Sequence, residues 1–321
     1  MFVAMLTAVA AVGACSTEDS IGITESQPTV SGEVSAGVTA VPTPGPTEVS
    51  QAAHLQAVQL VIVVTDLAVG PGNRLAFALI SQDGPIKVPT ASVQLVFLGG
   101  GGGAGATQFT AVFRPWPVGP GGVYAAVVDF EHAGTYGMEV NIFLPGGVIG
   151  VGKIELAVAT ASAAPALGER PPASRNKTSA DFEDPTDPEE LATITSSEVP
   201  DPDLYRMTVA EGLDSGLPSV ISFASPAFCQ TATCGPQVDV ISAVKAGFEG
   251  AVNFIHIEVY DSPDELTDLS RARLVPQMEE WGLLSEPFTF ILNAEGKVAV
   301  KFEGFVNEAE LAEALQGVLD S

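Results

Sequence analysis

The chain has 321 residues, 46% of them hydrophobic, and its 39 acidic against 13 basic side chains give a formal net charge of −26. That length suits two domains of about 150 residues each, with apolar content enough for real cores. The charge repels nucleic acid and anionic head groups, which excludes nucleic-acid binding as an expectation.

Met1 to Ala14 carries no charge and is almost wholly apolar. It is shorter than the roughly 20 residues a membrane-spanning helix needs. Its ending, Val12-Gly13-Ala14-Cys15, resembles the lipobox of bacterial lipoproteins. The resemblance implies a signal peptide over residues 1–15, lipid on Cys15, and a protein lipid-anchored to the bacterial cell membrane on its extracytoplasmic side. Disulfides persist in that compartment. Residues 16–54 are rich in Ser, Thr, Pro, Glu and Gly and lack an apolar period, which predicts a disordered tether.

Residues 55–158 change character. Short apolar alternations predict strands at 59–66, 74–81, 92–98, 108–114, 122–130, 135–143 and 152–158, separated by Gly-Pro and Asp-Gly turn signals. Seven short strands in this length predict an antiparallel sandwich. Within it, His132-Ala133-Gly134-Thr135-Tyr136-Gly137-Met138 resembles the immunoglobulin-type Asp-Ala-Gly-Thr-Tyr-x-Cys corner, in which the tyrosine hydroxyl ties two strands together. Met138 stands where that family has cysteine, so the sandwich is expected to hold by packing alone. The glycine run Gly99–Gly103 has no Gly-Lys-Ser/Thr ending and no helical pattern after it, so it is expected to be a hairpin tip instead of a phosphate cradle. Trp116 is expected to be a packed edge residue, and His54 and His132 lack the convergent donors a metal needs.

Residues 159–203 are rich in Pro, Ala, Ser and acid, with Pro185, Pro188, Pro200 and Pro202 interrupting any helix. They predict a solvated linker. Thr208-Val209-Ala210-Glu211 fits a capping box opening a short helix.

Residues 204–321 carry the densest chemistry. A strand at 220–223 runs into a loop with Cys229, and Cys234-Gly235-Pro236 opens a helix to about residue 247. A cysteine at a helix N-terminus faces unpaired N–H groups that favour its thiolate. A buried strand at 251–260, helical material at 263–281, a hairpin of 288–292 with 298–302, and a helix at 308–319 complete a β-α-β-α-β-β-α order. This order resembles the thioredoxin fold. Cys234-Gly235-Pro236 matches the start of its Cys-Gly-Pro-Cys site, and Glu286-Pro287-Phe288 matches its Thr-Pro segment, whose cis-proline faces that site. Gln237 replaces the usual resolving cysteine, and the second thiol lies upstream, giving Cys-x(4)-Cys. Four intervening residues can fold back to the separation of about 5.5 Å between Cα atoms that a disulfide prefers.

The expected architecture is therefore two domains, an all-β immunoglobulin-like sandwich followed by an α/β thioredoxin-like fold. The expected function is thiol–disulfide exchange with protein thiols or disulfides, with Cys234 as attacking thiolate, Cys229 as its partner, Pro287 shaping the groove, and no cofactor. Two alternatives stay open. One is a non-catalytic envelope binding protein with Cys229–Cys234 as a staple. The other is a copper protein resembling the Sco type, with Cys229, Cys234 and His256 as soft ligands. His256 alternates with Phe254, Glu258 and Tyr260 on one strand face, where a hydrogen-bonded core histidine is the commoner arrangement.

Overall fold

The computed structural model describes residues 54–99, 105–116, 119–229 and 233–321. The expected signal peptide, Cys15, almost all of the tether and most of the glycine run lie outside the described residues. No helix among the described residues is long and apolar enough to cross a membrane. Gln51–Ser321 forms one compact unit.

β1 (His54–Ala57) and β2 (Gln59–Ile62) are consecutive segments of one strand. The first pairs in parallel with β9 (Val148–Val158), the second antiparallel with β3 (Gly70–Ser81), and Val58 N–H between them donates to Val151 O at 3.0 Å. β4 (Gly84–Pro85), β5 (Thr90–Phe97), β6 (Thr107–Pro115), β7 (Gly122–Phe130) and β8 (Gly134–Leu144) complete a nine-stranded sheet. Its order is β1-β9-β8-β5-β6-β7-β3-β2, with β4 on β3. All seven strands that alternation predicts are present. Both ends of that order belong to one strand, which links the two ends of the sheet.

Alternation explains the packing. Ala91, Val93 and Leu95 of β5 face Tyr136, Met138, Val140 and Ile142 of β8 in one core. The Tyr136 hydroxyl donates to His132 O at 3.1 Å and accepts from His132 N–H, forming the corner that the sequence resembles. Met138 is buried where the immunoglobulin pattern has cysteine. The β domain is immunoglobulin-like and held by packing.

The smaller sheet has the order β11-β10-β12-β13. β10 (Ser219–Ala224) pairs in parallel with β11 (Asn253–Glu258) and antiparallel with β12 (Phe288–Leu292), which pairs antiparallel with β13 (Val298–Glu303). All six β10 residues are buried because both faces are covered. Val220 and Ala224 pack with α3 (Cys234–Lys245) and α5 (Glu308–Leu319); Ile221 and Phe223 pack with the short helices α2 (Val209–Asp214) and α4 (Pro276–Glu280). The capping box at Thr208 and Glu211 is formed. The helical material expected over 263–281 is broken into two 3-10 turns, Pro263–Glu265 and Leu269–Arg271, and the short α4, since Pro263 and Pro276 each permit a helix start but no preceding turn.

The stretch expected to be a solvated linker is packed instead. Its short helix α1 (Pro188–Leu191) buries Leu191, and Ile194 and Tyr205 join the same core as α3 and α5. Spaced apolar residues among the acids supply the burial, each worth about 1.5–3 kcal/mol. Earlier in the same stretch, Gly168 N–H donates to Val298 O and Val298 N–H to Glu169 O, adding backbone bonds at the start of β13.

The two sheets meet through charge. Arg74 of β3 makes a bidentate pair with Glu310 of α5, at 2.8 and 2.9 Å, and its remaining donors reach the carbonyls of Glu303 and Phe305. Its guanidinium lies 5.5 Å from the centre of the Phe302 ring. Glu303 accepts from Thr65 N–H, Thr65 Oγ1 and Asp66 N–H, while Lys301 bonds Asp66 at 2.6 Å. Burial pushes the Asp66 carboxyl up, but the Lys301 ammonium, the Ser162 hydroxyl and Ala163 N–H more than reverse it, so Asp66 stays below the ordinary carboxylate range.

Candidate functional site

Cys229 and Cys234 form a disulfide with a Cα–Cα separation of 5.8 Å. β10 delivers the chain to Ser225, whose carbonyl accepts from the N–H groups of Phe228 and Cys229 and so folds the loop back. The Phe228 ring packs edge-on against Tyr260, with centroids 5.9 Å apart. Cys234 is the first residue of α3, and Pro236 sits in the first turn, where its missing N–H costs nothing. The two sulfurs are not equivalent. Cys234 is fully buried and Cys229 is half-buried.

The Glu286–Pro287 peptide bond is cis and leads into β12. Glu286 Oε2 lies 3.6 Å from Cys234 Sγ. A disulfide sulfur has no proton to give, so this contact is a hydrogen bond only when the carboxyl is protonated. Ser225 Oγ lies 2.7 and 2.6 Å from the two Glu286 oxygens and donates to them. No Lys or Arg ion pair reaches Glu286 among the described residues. Burial raises its carboxyl above the ordinary range, against the opposing bonds from Ser225.

A second, buried acid lies within electrostatic reach of Glu286. Glu258, at the end of β11, accepts from Ser196 N–H at 2.8 Å, Ser196 Oγ at 2.7 Å and Val259 N–H at 3.1 Å. Burial pushes its carboxyl up to about 7; the Ser196 bonds oppose the rise and the charge of Glu286 adds to it. Ser196 Oγ also accepts from Ala227 N–H, two residues before Cys229, which ties the 159–203 stretch to the cysteine loop.

Glu258 carries a testable pH signature. A carboxyl raised in the native state favours folding below its ordinary value of 4.5 and loses that contribution as pH rises through about 7. The Glu258 contribution to the unfolding free energy is expected to fall by about 3 kcal/mol across that window, at 1.36 kcal/mol per unit, while burial of neutral His256, whose pKa is lowered to about 4, acts with the opposite sign over much of the same range. Urea unfolding measured from pH 4 to 8 should show this fall as the difference between the parent and Glu258→Gln; an equal pH dependence in both proteins would remove Glu258 as the source.

His256 does not join the site. Its Nε2–H donates to Ala224 O at 3.0 Å, which can only accept, so Nδ1 is bare and accepts from the Tyr205 hydroxyl at 2.8 Å. Burial lowers its pKa to about 4, with the Ala224 bond opposing, and the ring is neutral. Both nitrogens are occupied, which corrects the Cys229, Cys234, His256 copper set. The close donor group among the described residues is Cys229, Cys234 and Glu286, with all three donor atoms within 4.8 Å of one another.

The structure thus brings Cys229, Cys234 and Pro287 into one loop cluster and leaves His256 in the core. Sequence reasoning missed Glu286 beside Cys234 Sγ, and the surrounding set of Ser225, Glu258 and Ser196. The signal for Glu286 was present, a carboxylate where the matched segment has threonine; nothing local marks Ser196.

No protein-family model matches this chain, and no curated protein does. Among solved structures, the chain is similar to the PKD domain of the human VPS10 domain-containing receptor SorCS2 at 17% identity and TM-score 0.20, over 39% of this chain and 95% of that one. It is also similar to the chitinase ChiW from Paenibacillus sp. str. FPU-7, a bacterial cell-surface-expressed multi-modular enzyme. That likeness has 16% identity and TM-score 0.22, over 35% of this chain and 9% of that one.

Proposed function

We propose that the chain is a lipid-anchored extracytoplasmic protein whose thioredoxin-like half exchanges disulfides with protein thiols through Cys229 and Cys234. The observation that carries this reading is the asymmetry of the pair: a half-buried Cys229 bonded to a fully buried Cys234 in the first turn of α3, beside the cis Glu286–Pro287 bond. Parallel β10/β11 followed by an antiparallel β12/β13 hairpin and a closing helix support the thioredoxin-like assignment. Leu284, two residues before Glu286, is 89% exposed and offers apolar contact to a polypeptide beside the site.

Exposure reverses the roles expected from sequence. A partner thiolate attacks Cys229 Sγ, the mixed disulfide forms there, and Cys234 leaves as a thiolate that takes up one proton. In the other direction the Cys234 thiolate attacks Cys229 in the mixed disulfide, releases the partner as a thiolate and restores the internal bond. Cys229 is therefore the entry sulfur and Cys234 the resolving one, placed where the helix N-terminus stabilises its thiolate.

Total burial of Cys234 also favours a second reading, a permanent staple. A glutathione titration of the full chain separates the two. The exchange reading expects half-reduction within the glutathione-accessible range, with insulin reduction by the parent; a bond that stays oxidised below about −300 mV, with no insulin reduction, is a staple.

A further inference from the structure

We infer that, once its disulfide is reduced, the chain binds a thiophilic divalent cation of the zinc class through Cys229 Sγ, Cys234 Sγ and Glu286. The geometry is already close to what such an ion needs. Zinc bonds of about 2.3 Å to sulfur and about 2.0 Å to oxygen place tetrahedral S and O ligands about 3.5 Å apart, and Cys234 Sγ stands 3.6 Å from Glu286 Oε2. The third donor is within 4.8 Å of both. Reduction lets the two sulfurs move from bonding distance to the wider edge of the same tetrahedron by side-chain rotation.

The surroundings fit a cation as well. Glu286 is a half-buried carboxylate that no Lys or Arg pairs among the described residues, and Glu258, within electrostatic reach of it, is likewise without an ion pair. The Ser225 hydroxyl already orients the Glu286 oxygens, the task an outer hydrogen bond performs for a ligating carboxylate. Cys229 is half-buried, and a zinc-class ion held by three protein donors takes water or a partner's thiolate as its fourth ligand. Binding displaces one proton from each thiol and none from an ionised Glu286, and the site cannot form while the sulfurs are bonded to each other. The inference shares with the exchange reading only the need for a reducible pair, and a phosphine reductant supplies that whether or not any protein partner does.

The test titrates the full chain, reduced with a phosphine and held without oxygen, with Co²⁺ as a spectroscopic probe and then with Zn²⁺. The expected result is one equivalent of Co²⁺ with the intense visible bands of a tetrahedral site and sulfur charge-transfer absorption, displaced by Zn²⁺. The oxidised chain should give no such spectrum. Glu286→Gln should weaken uptake at least about tenfold while far-UV circular dichroism stays unchanged, a loss at least as large as outer-partner losses of about 10–100-fold. No tetrahedral spectrum in the reduced parent, or equal affinity in parent and Glu286→Gln, would overturn the site. Neither result touches the glutathione titration, so the two readings fail separately.

Discussion

Cys234→Ser, reduced and then freed of reductant, is expected to trap a stable mixed disulfide at Cys229 when offered a disulfide-bearing protein, and Cys229→Ser is expected to trap none. Both variants should reduce insulin only at the uncatalysed background rate. The difference follows from access: the half-buried sulfur of Cys229 can meet an incoming sulfur in line, and the fully buried one cannot. Removing Cys234 deletes the group that would release the partner, so the intermediate persists. Non-reducing electrophoresis and intact-mass measurement read the adduct directly. An adduct forming in Cys229→Ser but not in Cys234→Ser would restore Cys234 to the attacking role and refute the assignment made from burial.

The second large effect lies far from the sulfurs. Arg74→Met is expected to destabilise the chain by about 3–5 kcal/mol, because it strands Glu310 as a partly buried charge without its partner. The Arg74 side chain is 6% exposed and that of Glu310 12%. The variant also deprives the Glu303 and Phe305 carbonyls of a donor. Arg74→Met combined with Glu310→Gln should recover part of the loss, since no unpaired charge is then left. Urea unfolding followed by tryptophan fluorescence reports it: Trp281 sits in the core under the small sheet and Trp116 packs against the cores of both sheets. A loss under about 1 kcal/mol, the size of a surface ion pair, would mean the bond between the halves contributes little.

Much of this molecule was legible in its sequence wherever a pattern is local. Period-two alternation located the seven strands around Val93, Tyr136 and their neighbours, and the closing helix at Glu308–Leu319 matches its expected limits. Tyr136 made its corner bond. Cys229 and Cys234 met because four intervening residues limit how far apart they can be. Relations between distant residues were illegible for the same reason. Arg74 and Glu310 are 236 positions apart, and one arginine among 39 acids announces no particular partner. Composition misjudged 159–203 because Pro and acid outweigh its few apolar residues, yet Leu191 and Ile194 are enough to hold it down. His256 was ambiguous at the level of strand alternation, and only the positions of Tyr205 and Ala224 decide that both of its nitrogens are spent.

The bond from Ala227 to Ser196 sets a rule for grafting. Anyone transplanting the cysteine loop onto another scaffold must carry the segment from residue 159 onward, because the hydroxyl that steadies the loop and the core residues that anchor that hydroxyl are encoded before the first strand of the small sheet. Recombination at a seam near residue 204, where composition suggests a natural joint, would deliver the sulfurs without their buttress.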